Sequence, residues 1–513
     1  MKKKKISIAI LSVSILVILL LSLILIVRNQ KPKSKEIILA KVGDKTISLN
    51  EFIGRAEYTL RPQYCKGSDN ISKKVVLNSL IAEKMFALEA GDTNKLAQNE
   101  RFQRFIEGRK QQAMREWLFH KEGFEKVKVD TSEIKKIYQL AGRKYRVTYY
   151  SLNNDSLAEL IGKELSANKE LFGPIYFELS GSDTIPGREV DYNVRESEIV
   201  HKALFSEKLN VGDVIGPLKT GDGSYLVMRV NGWVDSHVMT ETDVSRRWND
   251  VKEELTNQKA TRIYEEYVAG VMKGRRIDFF LDTFHKMVDV IGPQYFSALE
   301  KDKELFMNKA FDKEIENIAP DIGKQIEDFI DEPLFQVDGK IWTVRDFGEE
   351  IEVHPLVYRN KKMPKNDFAN QFKLAIVDMI RDKYLAGEAY KAGYDKVGIV
   401  SRNVGMWRDA SIALYHKGQY LKKVNSGETN PLVQIEKYLN PYINELQQKY
   451  AAEIEVNVEE FDKINLTRTD MFVTQSNVPF PIMVPSFPQL TTDYKLDYGK
   501  RMKTDQNEKI QDK

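Results

Sequence analysis

The sequence of 513 residues contains one cysteine, Cys65, and six histidines, none of which form an HxxxH pair. A single cysteine excludes a disulfide within the chain and any zinc site that needs several thiolates. The motifs GxxxxGKS/T, GxGxxG and GxSxG, which mark phosphate loops and nucleophilic serines, are also missing. We therefore predict no metal site and no cofactor.

An excess of charge of one sign is missing too, because 78 lysines and arginines face 75 aspartates and glutamates and leave a net charge of +3. A nucleic-acid partner usually requires a strongly basic domain, so no such partner is predicted. Apolar residues make up 42% of the chain, which is enough for packed cores and excludes wholesale disorder.

Only one apolar run is long enough to cross a membrane: Ile6 to Val27, which follows four lysines. At 1.5 Å per residue this run spans about 33 Å, against a hydrocarbon core of ~30 Å. No small-x-small cleavage site ends the run, which favours a retained signal anchor over the alternative, a cleaved signal peptide. Basic residues flank the run on both sides, so its orientation is predicted from the short N-terminal flank. We expect a single-pass membrane protein whose bulk is translocated out of the cytoplasm.

A pattern near the N-terminus recurs late in the chain. Residues 40–52 contain a hairpin tip, a polar cap and the start of a helix, and residues 335–347 match them at an offset of 295. Residues 80–90 match residues 379–389 at an offset of 299, so one loop insertion separates the two matches. Two ordinary amphipathic helices could agree by chance, but the hairpin and the helix recur in the same order. This order favours a duplicated unit.

A β-rich block lies between the two copies. Residues 145–152 and 224–230 alternate as strands do, and a turn-rich sequence precedes the second of them. We predict an α+β protein with six parts: a flank, transmembrane anchor and linker (1–36), a helical unit (37–132), a sheet-and-helix domain (133–236), long connecting helices (237–330), a second helical unit (331–462) and a Pro-rich tail (463–513).

The tail is unusual because four prolines occur between Val478 and Pro488. Prolines at this density preclude a helix and favour an extended chain. The stretch could be a self-recognition segment, a ligand for a partner, or an ordered tail packed on the body. The last residues of the chain are predicted to be disordered.

In these patterns the chain resembles the SurA/PpiD/PrsA family of extracytoplasmic chaperones, which carry parvulin-type (PpiC) prolyl isomerase domains. Three features carry the resemblance: the signal anchor, the sequence Val-Gly-Asp-x-x-Ile-Ser-x-x-Glu-Phe at 42–52, and residues 203–230. The last is similar to the second half of a parvulin domain, where Phe-x-x-x-Leu-x-x-Gly-x-x-x-x-Pro precedes the final strand. The resemblance implies SurA-like helical chaperone units on both sides of a small parvulin-like domain. It also implies a location in the bacterial inner membrane, with the bulk of the chain extracytoplasmic, in the periplasm.

The resemblance also implies site residues, and here the sequence departs from the family. Parvulin domains usually carry one histidine in the first strand and one in the last strand, facing each other, and the corresponding residues are Tyr149 and Tyr225. The pocket phenylalanine corresponds to Phe205, which could line a proline pocket or belong to the core, and its apolar companion corresponds to Val200. Rotation of an X–Pro bond needs no nucleophile and no metal, and a tyrosine hydroxyl can donate a hydrogen bond. Whether the chain is an enzyme therefore stays open.

Three functions are compatible with these patterns. The leading hypothesis is a membrane-anchored folding factor, a holdase that binds unfolded or newly translocated polypeptides and whose parvulin-like domain is weak or inactive as an isomerase. The alternatives are an active peptidyl-prolyl cis-trans isomerase and a structural or assembly subunit that binds one fixed partner. Expected partners are unfolded clients and the membrane, while a dimer or another assembly partner stays open.

Overall fold

The computed structural model describes residues 36–193, 197–221, 223–236, 240–305, 323–360, 363–466 and 483–502. The predicted membrane segment, Ile6 to Val27, lies outside these ranges. Among the residues described, no helix is both long enough and apolar enough to cross a membrane. The fold is mixed α+β, as predicted, with long helices and three small sheets.

The strands are β1 (Ile38–Val42), β2 (Lys45–Ser48), β3 (Arg143–Leu152), β4 (Gly187–Asp191), β5 (Val214–Lys219), β6 (Tyr225–Asp235), β7 (Ile277–Phe279), β8 (Pro333–Val337), β9 (Lys340–Thr343), β10 (Ile454–Val456) and β11 (Lys500–Arg501). The α-helices are α1 (Leu49–Glu57), α2 (Asn70–Ala90), α3 (Glu100–Glu122), α4 (Thr131–Tyr138), α5 (Asp155–Ala167), α6 (Phe172–Ser180), α7 (Glu198–Phe205), α8 (Glu241–Met272), α9 (Leu281–Leu305), α10 (Gly323–Ile326), α11 (Val344–Val353), α12 (Phe368–Lys391), α13 (Gly398–Lys423), α14 (Pro431–Gln434), α15 (Asn440–Lys449) and α16 (Val458–Asp462).

The two matching segments fold in the same way. β1 and β2 form an antiparallel hairpin, and the Ser48 hydroxyl then accepts a hydrogen bond from the backbone N–H of Glu51 and caps α1. β8 and β9 repeat the hairpin, and Thr343 caps α11 through a reciprocal pair of hydrogen bonds with Asp346. A long helix follows each short one, α2 in the first copy and α12 in the second.

The copies exchange their later elements. β1, β2, α1 and α2 complete their core with α13, α15 and β10, which come from the end of the second copy. β8, β9, α11 and α12 pack in turn with α3, α8, β7 and α9 from the first copy. We call these two assemblies the first lobe and the second lobe.

The exchange also corrects the predicted domain boundaries. Residues 37–132 and 331–462 do not enclose separate cores, because the core of the first lobe runs from Leu39 to Leu490. The third helices extend the sequence match, since Leu-Phe-His-Lys at 118–121 corresponds to Leu-Tyr-His-Lys at 414–417 at an offset of 296. From β7 in the first copy and β10 in the second copy onwards, the two copies match at an offset of 177, which pairs Phe284 with Phe461. The first copy thus carries about 119 additional residues, and these include the sheet-and-helix domain.

The sheet-and-helix domain has a four-stranded antiparallel sheet in the order β4-β3-β6-β5. α5 and α6 cover one face of this sheet. α4, α7 and the first half of α8 cover the other face. α8 then continues into the second lobe, so one long helix connects the domain to the body.

A glycine permits a close approach between the two copies. Gly108 lies where α3 crosses the end of α11, and a β-carbon added there would stand 1.9 Å from the carbonyl oxygen of Val353. We expect Gly108→Ala to force the helices apart and to lower the free energy of unfolding by about 2–3 kcal/mol. Gly405→Ala in α13 is the control, because nothing lies within 4 Å of its added β-carbon. Equal urea denaturation midpoints for the two variants would contradict this packing.

Charged contacts differ between the two junctions. In the first lobe, Asp409 of α13 accepts hydrogen bonds from Lys84 at 3.1 Å and from Lys45 at 2.7 Å. In the second lobe, Arg115 of α3 lies 3.5 Å from Asp382 of α12. The exchanged helix α13 therefore carries an acid where it packs on the first lobe, and α3 carries a base where it packs on the second lobe. This charge difference matches each helix to the lobe on which it packs.

A carboxyl on α3 makes the stability of this region depend on pH. Burial raises the pKa of Glu116 to about 7, although Arg115 and a hydrogen bond from Gln112 oppose the rise. Because the folded pKa lies above the unfolded value, the stability from this group is complete below about pH 4 and is lost as the pH rises through 7. We expect Glu116→Gln to raise the free energy of unfolding at pH 8 by about 2 kcal/mol more than at pH 5. Urea titrations at both pH values measure the difference, and an equal effect at the two would contradict it.

Candidate functional site

The predicted isomerase site lies on the two central strands of the sheet-and-helix domain. Tyr149 of β3 is half-buried on the face that α7 covers, and the guanidinium of Arg188 lies 5.1 Å from the centre of its ring. Tyr225 of β6 packs on the opposite face, with α5 and α6, and the ammonium of Lys219 lies 5.4 Å from its ring. The structure thus does not bring the two tyrosines together.

The physical reason is the alternation of side chains along a strand. Tyr149 pairs in register with Met228, and Tyr225 pairs with Leu152, three residues further along β3. The β6 side chain that lies next to Tyr225 in sequence and shares the face of Tyr149 is Leu226, which is buried. On this face the register therefore places a methionine, and not a second tyrosine, opposite Tyr149.

Val200 and Phe205 of α7 are core residues. They are only 2% and 1% exposed, and the ring of Phe205 packs edge-on against Tyr145 and Tyr192. Phe205 also lines a small cleft of about 10 Å³ between α4, α7 and α8, beside the buried His201. The structure therefore supports the core interpretation of Phe205 over that of an open pocket wall. Within the described ranges, no group of three His, Cys, Asp or Glu side chains could hold a metal ion.

A second candidate site is the surface of the first lobe on which the C-terminal chain lies. Residues 483–499, which we call the tail segment, run without helix or strand across α1, α2, α13 and α15. We call this surface the tail groove. The extended chain predicted from the prolines is observed for 483–488, while residues 478–482 of that stretch lie outside the description. The tail is thus ordered and packed on the body.

Side chains of the groove bind the backbone of the tail segment. Arg55 donates a hydrogen bond to the carbonyl oxygen of Ser486 at 2.7 Å, and Lys417 donates to that of Gln489 at 3.1 Å. Every residue has a backbone carbonyl, so these contacts do not depend on the sequence of the tail. Hydrogen bonds from charged donors are also stronger than neutral ones.

Asn78 of α2 makes the densest set of contacts with the tail segment. Its Nδ2 donates to the carbonyl oxygens of Asp493 and Lys495, both at 2.8 Å, and its Oδ1 accepts from the Tyr498 hydroxyl at 2.6 Å. Burial raises the pKa of Tyr498, which keeps this hydroxyl protonated and able to donate. Asn78 is 1% exposed and stands in an otherwise apolar stripe of α2. A buried amide needs hydrogen-bond partners, and all the partners of the Asn78 side chain among the described residues belong to the tail segment.

The wall at α15 departs from regular helix where it meets the tail. Residues Ile435–Leu439 form a π-helical segment, and Asn440 follows it directly. The Oδ1 of Asn440 accepts from the Thr491 hydroxyl at 2.7 Å, and its Nδ2 donates to the Thr492 hydroxyl at 2.9 Å. Such π-helical segments are frequent at functional sites.

Apolar contacts complete the site. Phe487 and Leu490 are 5% and 3% exposed and belong to the core of the first lobe. Pro485 and Pro488 are also buried, whereas Ser486 and Gln489, each of which directly follows one of these prolines, are exposed. The groove therefore combines sequence-independent hydrogen bonds with two sockets for large apolar side chains.

Sequence reasoning did not identify the groove residues. The available signals were Asn78 within the apolar stripe of α2 and the density of prolines in the tail. Comparison of the chain with protein-family models, with curated proteins and with solved structures finds no match.

Proposed function

We propose that this protein is a membrane-anchored, extracytoplasmic folding factor that binds unfolded or newly translocated polypeptides as a holdase. The observation that carries the proposal is the tail groove, which holds an extended chain through its backbone carbonyls. An unfolded client presents the same groups, exposed carbonyls and scattered large apolar side chains. Binding them keeps the client from pairing its own strand edges.

The sequence supports the location of this activity. The apolar run from Ile6 to Val27 would tether the body, and its short N-terminal flank favours an extracytoplasmic body. The resemblance to the SurA/PpiD/PrsA family supports the same function. Within that resemblance, the sheet-and-helix domain is proposed to be parvulin-like and to serve binding, because Tyr149 and Tyr225 lie on opposite faces of its sheet.

Aggregation of a chemically denatured client, diluted in the presence of the 36–513 fragment, tests the proposal. We expect suppression at near-equimolar fragment, and we expect Lys417→Met to weaken it several-fold because a donor to the bound backbone is lost. Lys391→Met is the matched control, since Lys391 is an exposed lysine of α12 whose described ion pair is local. Equal suppression by both variants would show that clients bind elsewhere.

Two further measurements on the same fragment separate the alternatives. Acceleration of proline-peptide isomerisation, lost in Tyr149→Phe, would indicate the isomerase. Recovery of one fixed partner, with no suppression of aggregation, would indicate the assembly subunit.

A further inference from the structure

The second lobe shows which groove residues the fold itself does not need. At the offsets that align the copies, Asn78 corresponds to Val377 and Arg55 corresponds to Glu350. Val377 lies in α12, and the Glu350 carboxylate pairs with Lys383 within the second lobe. A helix of this type therefore packs without a buried amide, so Asn78 serves the bound chain in the first lobe, whereas Arg55 also makes a buried ion pair with Glu83 of α2.

Besides the side-chain hydrogen bonds of Thr491, Thr492 and Tyr498, the contacts of the tail segment fall into two kinds. The hydrogen bonds from Arg55, Lys417 and Asn78 all end on backbone carbonyls and accept any extended sequence. The sockets filled by Phe487 and Leu490 select large apolar side chains three residues apart. Buried prolines suit such a site because a chain that is already extended loses little entropy when it binds.

The tail is held in place partly by its covalent connection. Sixteen residues join Leu466 to Met483, and a connection of this length gives an effective concentration on the order of millimolar. At its far end, the two-residue strand β11 pairs with β10. An external segment that binds the same groups must therefore compete with a tethered one.

We infer that the tail segment is an internal copy of the groove's ligand. The groove takes extended, proline-containing polypeptide with an aromatic and an aliphatic side chain three residues apart, and an external segment binds by displacing the tail. This inference rests on the proposed function and names both its ligand class and its resident competitor.

The test is fluorescence anisotropy of a labelled peptide with the sequence of residues 483–499, titrated with the full-length chain in mild detergent. Phe487→Ser with Leu490→Ser in the chain weakens the resident tail and leaves the groove intact. We expect the peptide to bind this double variant at least tenfold more tightly than the wild-type chain. Adding Asn78→Val to the double variant should abolish the gain, and a peptide with the same two serines should not bind.

Equal peptide affinity for the wild-type chain and the double variant would overturn the inference. If the double variant does not fold, a chain that ends at Leu466 replaces it, and the wild-type peptide added in trans should bind and raise its melting temperature. A peptide that neither binds the shortened chain nor raises its melting temperature would also overturn the inference.

Aggregation suppression by the same samples distinguishes the two proposals. Suppression without peptide binding would reject the ligand class and keep the holdase function on another surface. Peptide binding without suppression of aggregation would mean that the groove binds only the chain's own tail. That result would reject both the holdase function and the binding of external ligands.

Discussion

Asp409→Ala is expected to lower the free energy of unfolding by about 3–5 kcal/mol, a cost typical of breaking a buried ion pair from one side. The Lys84 side chain is 1% exposed, and its ammonium lies 2.9 Å from Glu51 and 3.1 Å from Asp409. Burial opposes this charge, but the two carboxylates outweigh burial and raise the pKa of Lys84. Without Asp409, a buried ammonium would lose one of its two carboxylate partners, and α13 would lose its buried charged contact with Lys84 of the first lobe.

Two further variants establish the cause of this loss. Arg408→Ala, one residue away, removes an exposed ion pair with Asp92 and should cost no more than about 0.5 kcal/mol. Lys84→Met added to Asp409→Ala should recover part of the loss, because the uncompensated charge is then removed. Guanidinium denaturation measures all of these variants. An Asp409→Ala protein as stable as the Arg408→Ala protein would contradict the role of this pair in the helix exchange.

Asn78→Val is expected to release the tail segment. The substitution installs the residue that the second lobe carries at this position, and it removes three hydrogen bonds to the tail. At about 1 kcal/mol for each bond, docking of the tail should weaken by about 2–3 kcal/mol, or roughly 30- to 150-fold. Trypsin cleavage after Lys495, whose carbonyl Asn78 binds, should accelerate by at least tenfold.

The neighbouring Ser79 provides the matched control. It is fully buried in α2, and its hydroxyl has no hydrogen-bond partner among the described residues. Ser79→Ala should therefore be neutral or slightly stabilising and should leave the cleavage rate unchanged. Equal cleavage rates in Asn78→Val and Ser79→Ala would mean that Asn78 does not hold the tail.

Local features of the fold could be predicted from the sequence. The hairpins, the cap at Ser48 and the long helices depend on residues that are close together in the chain. The exchange between lobes could not be predicted, because α3 and α13 are both amphipathic and either could pack on either lobe. The opposite charges of Asp409 and Arg115 distinguish the two helices, but their partners are known only from the structure.

The predicted site shows a different limit. The sequence predicts the strand that contains Tyr225, but it does not predict which face of the sheet Tyr225 occupies. The neighbouring residue, Leu226, is the one that shares a face with Tyr149. A shift of one residue moves a side chain to the opposite face, and residues 225–228 of β6 are all apolar, so the pattern there does not fix the face. For the tail, prolines predict an extended chain, but its docking depends on contacts more than 400 residues apart in sequence, such as that between Asn78 and Asp493.

A photo-activated crosslinker at position 417, with one at position 391 as the control, tests most directly whether the tail groove binds clients. Without a client, we expect position 417 to capture the chain's own tail near Gln489. Mass spectrometry identifies the crosslinked residue. With an unfolded client, the product at 417 should change from tail to client, and position 391 should capture neither. Clients that are kept soluble but never captured at 417 would contradict the account.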